Sequence, residues 1–367
     1  MSVGCLNCGR PYPESGVPFQ CPSCGGLYDY REPFSYVSSK SGADGYWRHT
    51  AQLGFALAPV SLGEGSTPLM PAKAFGRQVY LKCEYANPTG SFKDRGTATL
   101  VSFLLSRGVT DAIEDSSGNA GASFAAYAAR TGIHAHIFVP EAASGPKRRQ
   151  IEVYGATISV VPGPRSDATE AARRAAEAGA VYASHAYLPF NLPGYATCAL
   201  EIVDQLDSPP SAVILPAGQG GLLLGMARGF EALWRAGKIQ RRPAIIGVQA
   251  AACAPLVALF DMGMMGLNFV TEGATVAEGV RVRSPLRARA VVEATGESGG
   301  RLLAVDEQAI LPGRDALARL GFYVEPTAAL VWRALEEMLP SLDDPVVAVL
   351  TGSGYKIAPI GEKWNGL

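Results

Sequence analysis

Asn87-Pro88-Thr89-Gly90-Ser91-Phe92-Lys93-Asp94-Arg95-Gly96 is the stretch on which the reading of this chain turns. Ser91 is a good helix N-cap, and Asp94 three residues on completes a capping-box-like pair, so a helix is predicted to begin here. It continues through Leu100, Val101, Phe103, Leu104 and Leu105 and stops at Gly108. Lys93 then sits in the first turn, beside free backbone N–H groups and the positive end of the helix dipole. That placement disfavours its own charge and lowers its pKa. A lysine that attacks a carbonyl must be neutral part of the time, so the position suits Schiff-base chemistry. A lone lysine here reads more simply as a surface cation; what changes the reading is the rest of the chain.

Upstream, Leu62 to Leu69 is a turn-rich loop and 79–84 reads as a strand leading into the lysine stretch. Downstream the pattern is regular. Strands are predicted at 112–115, 135–139, 157–161 and 181–183, with helices at about 122–130, 146–154 and 167–178 between them. The alternation resumes after Gly194 with a helix to Leu206, strand 212–215, a helix from Leu222 and strand 245–248. It ends with helix 328–338 and strand 346–350. Strands alternating with helices imply parallel sheets covered on both faces. The Pro- and Gly-containing break at 184–194 marks a crossing between two such domains. We expect an α/β protein of two doubly wound, parallel or mixed-sheet domains. The larger takes residues 31–100 and 190–367, the smaller residues 101–189. No internal repeat or low-complexity tract is seen.

In open α/β sheets ligands sit at the carboxyl ends of strands, and three small-residue turns occupy that position. Ser116-Ser117-Gly118-Asn119-Ala120-Gly121 offers backbone N–H groups, hydroxyls and an amide at a helix start, which suits a carboxylate. Gly218-Gln219-Gly220-Gly221 precedes an apolar helix and suits a phosphate, because backbone without side chains can close around the oxygens. The Gly-Lys-Ser/Thr ending of a nucleotide-triphosphate loop is absent. Thr351-Gly352-Ser353-Gly354 places small hydroxyl residues at a third strand end. Each turn alone is more often structural. Together they outline a cofactor with a phosphate, an aldehyde that a lysine can capture and a ring needing a polar partner, which fits pyridoxal 5′-phosphate.

The N-terminus carries a separate signal. Cys5-Leu6-Asn7-Cys8 and Cys21-Pro22-Ser23-Cys24 form two CxxC pairs with twelve residues between, each followed by glycine. Four thiolates at this spacing suit a tetrahedral structural Zn2+, with disulfides or unligated thiols as the alternative. Residues 1–30 are therefore expected to be a small zinc-ribbon-like module. Cys83, Cys198 and Cys253 stand apart in apolar context and read as buried thiols. The formal net charge of -1 gives no general attraction to nucleic acid or anionic membrane. No membrane span or signal peptide is evident, so a cytoplasmic location is expected.

The stretches LGEGSTPL (62–69), NPTGSFKDRG (87–96), SSGNAGAS (116–123), PAGQGGLLLG (216–225), GFYVEPTAA (321–329) and TGSGYK (351–356) together resemble the fold-type II, tryptophan synthase β-like pyridoxal-phosphate enzymes. Within these the chain is most similar to the threonine synthases. The N-terminal ribbon also looks like one that some microbial threonine synthases carry. The resemblance implies that Lys93 forms the aldimine with the cofactor and, once released, removes the α-proton. It implies that Phe92 packs beside it, that Asn119 meets the phenolic oxygen, that Gly218, Gln219, Gly220 and Gly221 hold the phosphate, and that Thr351 faces the pyridine nitrogen. Ser116, Ser117 and Gly118 would take the substrate carboxylate. Ala120 and His185 complete the expected substrate set; His185 is included for its own position, at the mouth after the strand ending at Ser184, where a purely structural histidine is the alternative. A small amino-acid substrate and a homodimer are implied by the same likeness.

The chain departs from threonine synthases at the substrate's distal phosphate. Ala120 stands where a hydroxyl residue often follows the asparagine. The segment 184–191 lacks the usual Asn-Ser pair and arginine, and 275–280 looks closer to the threonine and serine dehydratases. Arg281, Arg283 and Lys147 are candidates for the missing charge or simply surface residues. Three readings stay open: a threonine synthase acting on O-phosphohomoserine; a related β-replacing enzyme or ammonia-lyase acting on serine, threonine, O-phosphoserine or diaminopropionate; and a non-catalytic regulatory protein on the same fold.

Overall fold

The computed structural model describes residues 2–37, 45–55, 58–141, 145–163 and 165–357. A ribbon comes first, with β1 (Val3–Cys5) antiparallel to β2 (Tyr28–Tyr30). Gly9 and Gly25 close its two cysteine knuckles at φ of +71° and +67°, a left-handed backbone that glycine adopts without strain. Next come α1 (Gly45–Gln52), β3 (Leu69–Ala74), β4 (Arg77–Lys82) and α2 (Lys93–Ser106). The following block is β5 (Asp111–Glu114), α3 (Asn119–Thr131), β6 (His134–Pro140), α4 (Pro146–Val153), β7 (Thr157–Val161) and α5 (Arg165–Glu177). After α6 (Leu192–Leu206) the chain runs through β8 (Ala212–Pro216), α7 (Gly221–Arg235), β9 (Ala244–Ala250), α8 (Pro255–Met262) and α9 (Ala288–Glu297). It closes with β10 (Arg301–Val305), α10 (Glu307–Arg319), α11 (Pro326–Met338) and β11 (Val346–Val349).

Two sheets carry the architecture. The larger has six strands in the order β10-β9-β8-β11-β4-β3, all parallel except the edge strand β3. Its central strands read as apolar runs (Ala-Val-Ile-Leu in β8, Val-Val-Ala-Val in β11) and are buried throughout, as expected when helices cover both faces. One core packs α6 and α7 under Val213, Leu215, Val347 and Val349; another packs α11 against Ile214, Val346 and Ala348. The smaller sheet is β5-β6-β7, all parallel. The strand expected at 181–183 is reduced to a single parallel bridge from Tyr182 to Ile113.

The ribbon is not a free appendage. Tyr12 meets Phe103 and Phe190 edge-on, and Phe19 meets Tyr182 and Tyr187. Asp29 pairs with Arg228 at 2.7 Å. Arg287 donates from Nη2 to the Tyr28 and Tyr187 carbonyls and from Nη1 to the Ala186 carbonyl. The ribbon therefore braces the segment that leads from the small sheet back to α6.

The capping-box expectation at Ser91 is corrected. The residue before the first helical turn is Phe92, in helical geometry, with no side-chain cap. Asp94 turns back to accept from the Thr89 N–H (2.7 Å) and hydroxyl (2.6 Å), so it serves the preceding turn instead. Lys93 remains in the first turn of α2, as expected.

Candidate active site

Four strand ends converge. β5 runs into Ser116–Gly121, β8 into Gly218–Gly221, β11 into Thr351, and β4 into the turn that presents Lys93. They bound a cavity of about 730 Å³. Its lining includes Phe92, Lys93, Ser116, Ser117, Gly118, Asn119, Ala120 and His185. The wall is completed by Gly218, Gln219, Gly220, Gly221 and Thr351. The structure thus gathers around one space every residue that the resemblance or its position assigned to cofactor or substrate, the candidate phosphate cations apart.

Lys93 is half-buried there, with its Nζ 5.0 Å from the Phe92 ring centroid. Its pKa falls from 10.5 to about 8. Burial is the main cause and Arg165 adds to it, while Glu114 and Glu325 oppose. Desolvation thus does what the helix dipole was expected to do. Behind Lys93, the buried Arg95 donates to both oxygens of Glu84 at 2.8 Å and to Glu201 at 3.0 Å. Lys82 also bonds Glu201. Thr67, from the turn-rich loop, donates to Glu84 at 2.7 Å. This enclosed ion network fixes the start of α2 and hence the lysine.

Each turn is shaped by steric necessity at one or two positions. A Cβ on Gly121 would lie 1.8 Å from the Ser116 carbonyl oxygen, so only glycine lets the 116–121 turn close. Helix α3 begins at Asn119 rather than near 122, which brings the asparagine to the first turn. Gly220 has φ +79°, and a Cβ on Gly218 would lie 2.7 Å from the Gly279 carbonyl oxygen. Gln219 uses its side-chain oxygen to accept from the Leu286 N–H (3.1 Å), so this turn faces the cavity with backbone at the start of the fifteen-residue helix α7.

The residues fit pyridoxal phosphate on physical grounds. The Thr351 hydroxyl and the Asn119 side-chain oxygen are buried without a hydrogen-bond partner among the described residues, although both residues line the cavity. Buried polar atoms are rarely left so, and a polar ligand resolves them. The Gly218–Gly221 turn presents helix-start N–H groups to a phosphate, and Lys93 supplies an amine of lowered basicity.

Three features escaped the sequence reading. Asn119 donates to Glu325 (2.8 Å), whose other oxygen accepts from Lys147 (2.7 Å). Lys147 is therefore engaged and is not a free cation. Arg165 lines the cavity and has no ion pair among the described residues. Glu114, almost wholly buried at the end of β5, binds His185 Nδ1 at 2.6 Å. An acidic residue ending an apolar strand was the available signal for the last. Of the other candidate cations, Arg281 lines the cavity but leans toward Glu272, and Arg283 bonds the Leu267 carbonyl.

Away from the cavity, the four ribbon cysteines are unbridged, with Cys5 and Cys24 sulfurs 3.5 Å apart and Cys8 and Cys21 sulfurs 3.7 Å apart. All four lie within 4.8 Å of one another. Four sulfurs at about 2.3 Å from one tetrahedral ion would be spaced in this range.

Comparison with known proteins agrees with this geometry. Residues 60–352 match the family of pyridoxal-phosphate dependent enzymes. The chain is 34% identical to the threonine synthase of Methanocaldococcus jannaschii over 96% of its own length and 92% of the relative's. It is 35% identical to that of Mycobacterium tuberculosis, covering 84% of this chain and 87% of the other. Among solved structures, a threonine deaminase from T.th. superposes with a TM-score of 0.68 at 27% identity, over 80% of this chain and 94% of that one. Maize serine racemase shares the fold with a TM-score of 0.69 at 23% identity, over 80% and 89% of the two chains.

Proposed function

Because the chain belongs to the pyridoxal-phosphate-dependent enzymes and, within them, to the threonine synthase family, we propose that it converts O-phosphohomoserine and water to threonine and phosphate. The observation that carries this reading is Lys93, an amine with its pKa drawn down to about 8 in a cavity where three small-residue turns meet.

Pyridoxal phosphate bound here would supply an electron-withdrawing ring that acidifies the substrate carbon beside it. Gly218, Gln219, Gly220 and Gly221 would hold its phosphate, Asn119 its phenolic oxygen and Thr351 its ring nitrogen. A hydroxyl at that nitrogen, unlike a carboxylate, does not hold a proton on it, which favours elimination and replacement over transamination. Ser116, Ser117 and Gly118 orient the substrate carboxylate. Lys93 takes and returns protons at the substrate's α-carbon. Phe92 packs beside Lys93 and limits its motion. Ala120 and His185 face the distal part of the substrate, and Arg165 offers a cation for its phosphate.

A second reading, an ammonia-lyase or β-replacing enzyme, is favoured by one observation. Segment 184–191 holds no Arg or Lys, and Lys147 is already committed to Glu325. One assay separates the two. The first reading predicts phosphate and threonine in equal amounts from O-phosphohomoserine. Ammonia from serine or threonine, with no phosphate released from O-phosphohomoserine, would establish the second instead.

Cys5, Cys8, Cys21 and Cys24 are assigned to a structural Zn2+, since four sulfur ligands leave no position for a substrate. Metal analysis should find one zinc per chain. The ribbon (1–30), larger unit (31–100 with 190–367) and smaller unit (101–189) are the working division, supported by the separate sheets. A homodimer in the cytoplasm is the expected state. The exposed Met262, Met264, Met265 and Phe269 offer an apolar face of the kind a second copy covers. Light scattering tests the mass, and no helix among the described residues is long and apolar enough to cross a membrane.

A further inference from the structure

The cavity contains a second acid–base pair that the lysine chemistry does not use. His185 Nδ1 lies 2.6 Å from Glu114 Oε1, and the other Glu114 oxygen accepts the Ser116 N–H. With Glu114 as the carboxylate, Nδ1 donates to it and Nε2 keeps its lone pair; burial raises the Glu114 pKa, while Arg165, the Ser116 N–H and Lys93 favour its ionised form. No described residue pairs with Nε2, and His185 lines the same cavity as Lys93. The ring is held firmly in place. Its own carbonyl accepts from Asn191 Nδ2 at 2.6 Å, and Arg287 grips the next two carbonyls. A carboxylate that fixes one tautomer and aims the other nitrogen at a reaction space is the arrangement of a general base.

On the threonine-forming reading, we propose that His185 is the general base for the water that adds to the β-carbon, and that Glu114 is its positioning residue. The water oxygen bonds to the β-carbon of the unsaturated bound substrate while its O–H bond breaks toward Nε2. The electron pair of the carbon–carbon double bond moves to the α-carbon, which takes a proton from the Lys93 ammonium. The imidazolium then returns its proton through solvent to the Lys93 amine, so one water has been added and both groups are restored. The charged groups facing His185 are Glu114 and Asp115 at the end of β5, Lys93 on α2 and Arg165 on α5. Burial, Lys93 and Arg165 hold the imidazole neutral against Asp115, as a base requires.

The test uses the full-length holoenzyme and its His185→Gln and Glu114→Gln variants with O-phosphohomoserine. Phosphate, threonine, ammonia and 2-oxo acid are all measured. The proposal predicts that threonine formed per phosphate released falls by about tenfold or more in both variants, with 2-oxo acid and ammonia making up the balance. An unchanged ratio in folded His185→Gln would overturn it. If the unaltered enzyme releases no phosphate, the threonine-forming reading itself has failed, a result distinct from an unchanged ratio. A cofactor-independent arm uses 15N-histidine NMR. Nε2 should be unprotonated at pH 7 in the unaltered protein and the tautomer lock lost in Glu114→Gln; a protonated Nε2 contradicts the proposal whatever the variants do.

Discussion

Lys147, on α4 beside the small sheet, and Glu325, at the N-cap of α11 on the large one, form a 2.7 Å ion pair at the wall of the cavity. The pair joins the two halves of the site, and Glu325 also holds Asn119. Glu325 is almost wholly buried, so removing Lys147 leaves it with one partner. Lys147→Met should lower stability by about 1–3 kcal/mol. It should also weaken cofactor binding through Asn119, which titration of the protein with pyridoxal phosphate by absorbance would show.

Thr351 and the glycine turn make opposite predictions for stability and binding. The Thr351 hydroxyl has no hydrogen-bond partner among the described residues, so Thr351→Val removes no hydrogen bond within them. The melting temperature of the cofactor-free protein should stay level or rise, while affinity for pyridoxal phosphate falls. Gly218→Ala should weaken cofactor binding by at least about tenfold, or roughly 1.4 kcal/mol. Its new Cβ would lie 2.7 Å from the Gly279 carbonyl oxygen, so the turn and the 278–280 segment must part. Cofactor affinity unchanged in both variants would place the cofactor elsewhere.

Acid should unfold the protein through Glu201. Burial raises its pKa, but Arg95 and Lys82 more than offset that and hold it at about 2, against an ordinary 4.5. A depressed carboxylate stabilises the fold above its unfolded pKa. The contribution, roughly 3 kcal/mol by linkage, is present above about pH 4.5 and lost as the pH falls toward 2. Glu201→Gln should cost a similar amount at pH 7, since Lys82 loses its ionic partner. The variant's stability should then fall less steeply with acid, as followed by urea denaturation at several pH values.

Removing the zinc proposed for the ribbon should reach the active site. Tyr12 and Phe19 pack on Phe190, Tyr182 and Tyr187, which flank His185. Cys8→Ser, or chelation, should lower the melting temperature by several degrees and raise KM more than it lowers kcat. A chelator that strips the metal without changing either would make the ribbon independent.

The parts legible in the sequence are those fixed by local chemistry. Lys93, the three turns and the alternation of strands and helices all follow from residue type and spacing. What the sequence left unread depended on distant partners. Glu114 and His185 are 71 residues apart, and Lys147 and Glu325 are 178 apart. Ser91 looked like a cap because its neighbours fit the pattern, yet Asp94 found better partners in Thr89 and, at 2.6 Å, Ser123. The edge strand β3 had no counterpart in the expected elements beyond Leu69 at the end of the 62–69 loop, since Leu69-Met70-Pro71-Ala72-Lys73-Ala74 alternates weakly and carries a proline that only an edge tolerates.

Whether Lys93 is the amine that captures pyridoxal phosphate is tested directly by one measurement. Lys356 has a pKa also lowered to about 8 by burial, and its buried Nζ has no hydrogen-bond partner among the described residues, so it is the natural competitor. Cofactor-free protein is mixed with pyridoxal phosphate across a pH series, reduced with borohydride, digested and mapped by mass spectrometry. The predicted result is a single label on Lys93, captured at a rate that rises through about pH 8 and then levels. A label on Lys356 or another lysine, or none at all, would contradict it.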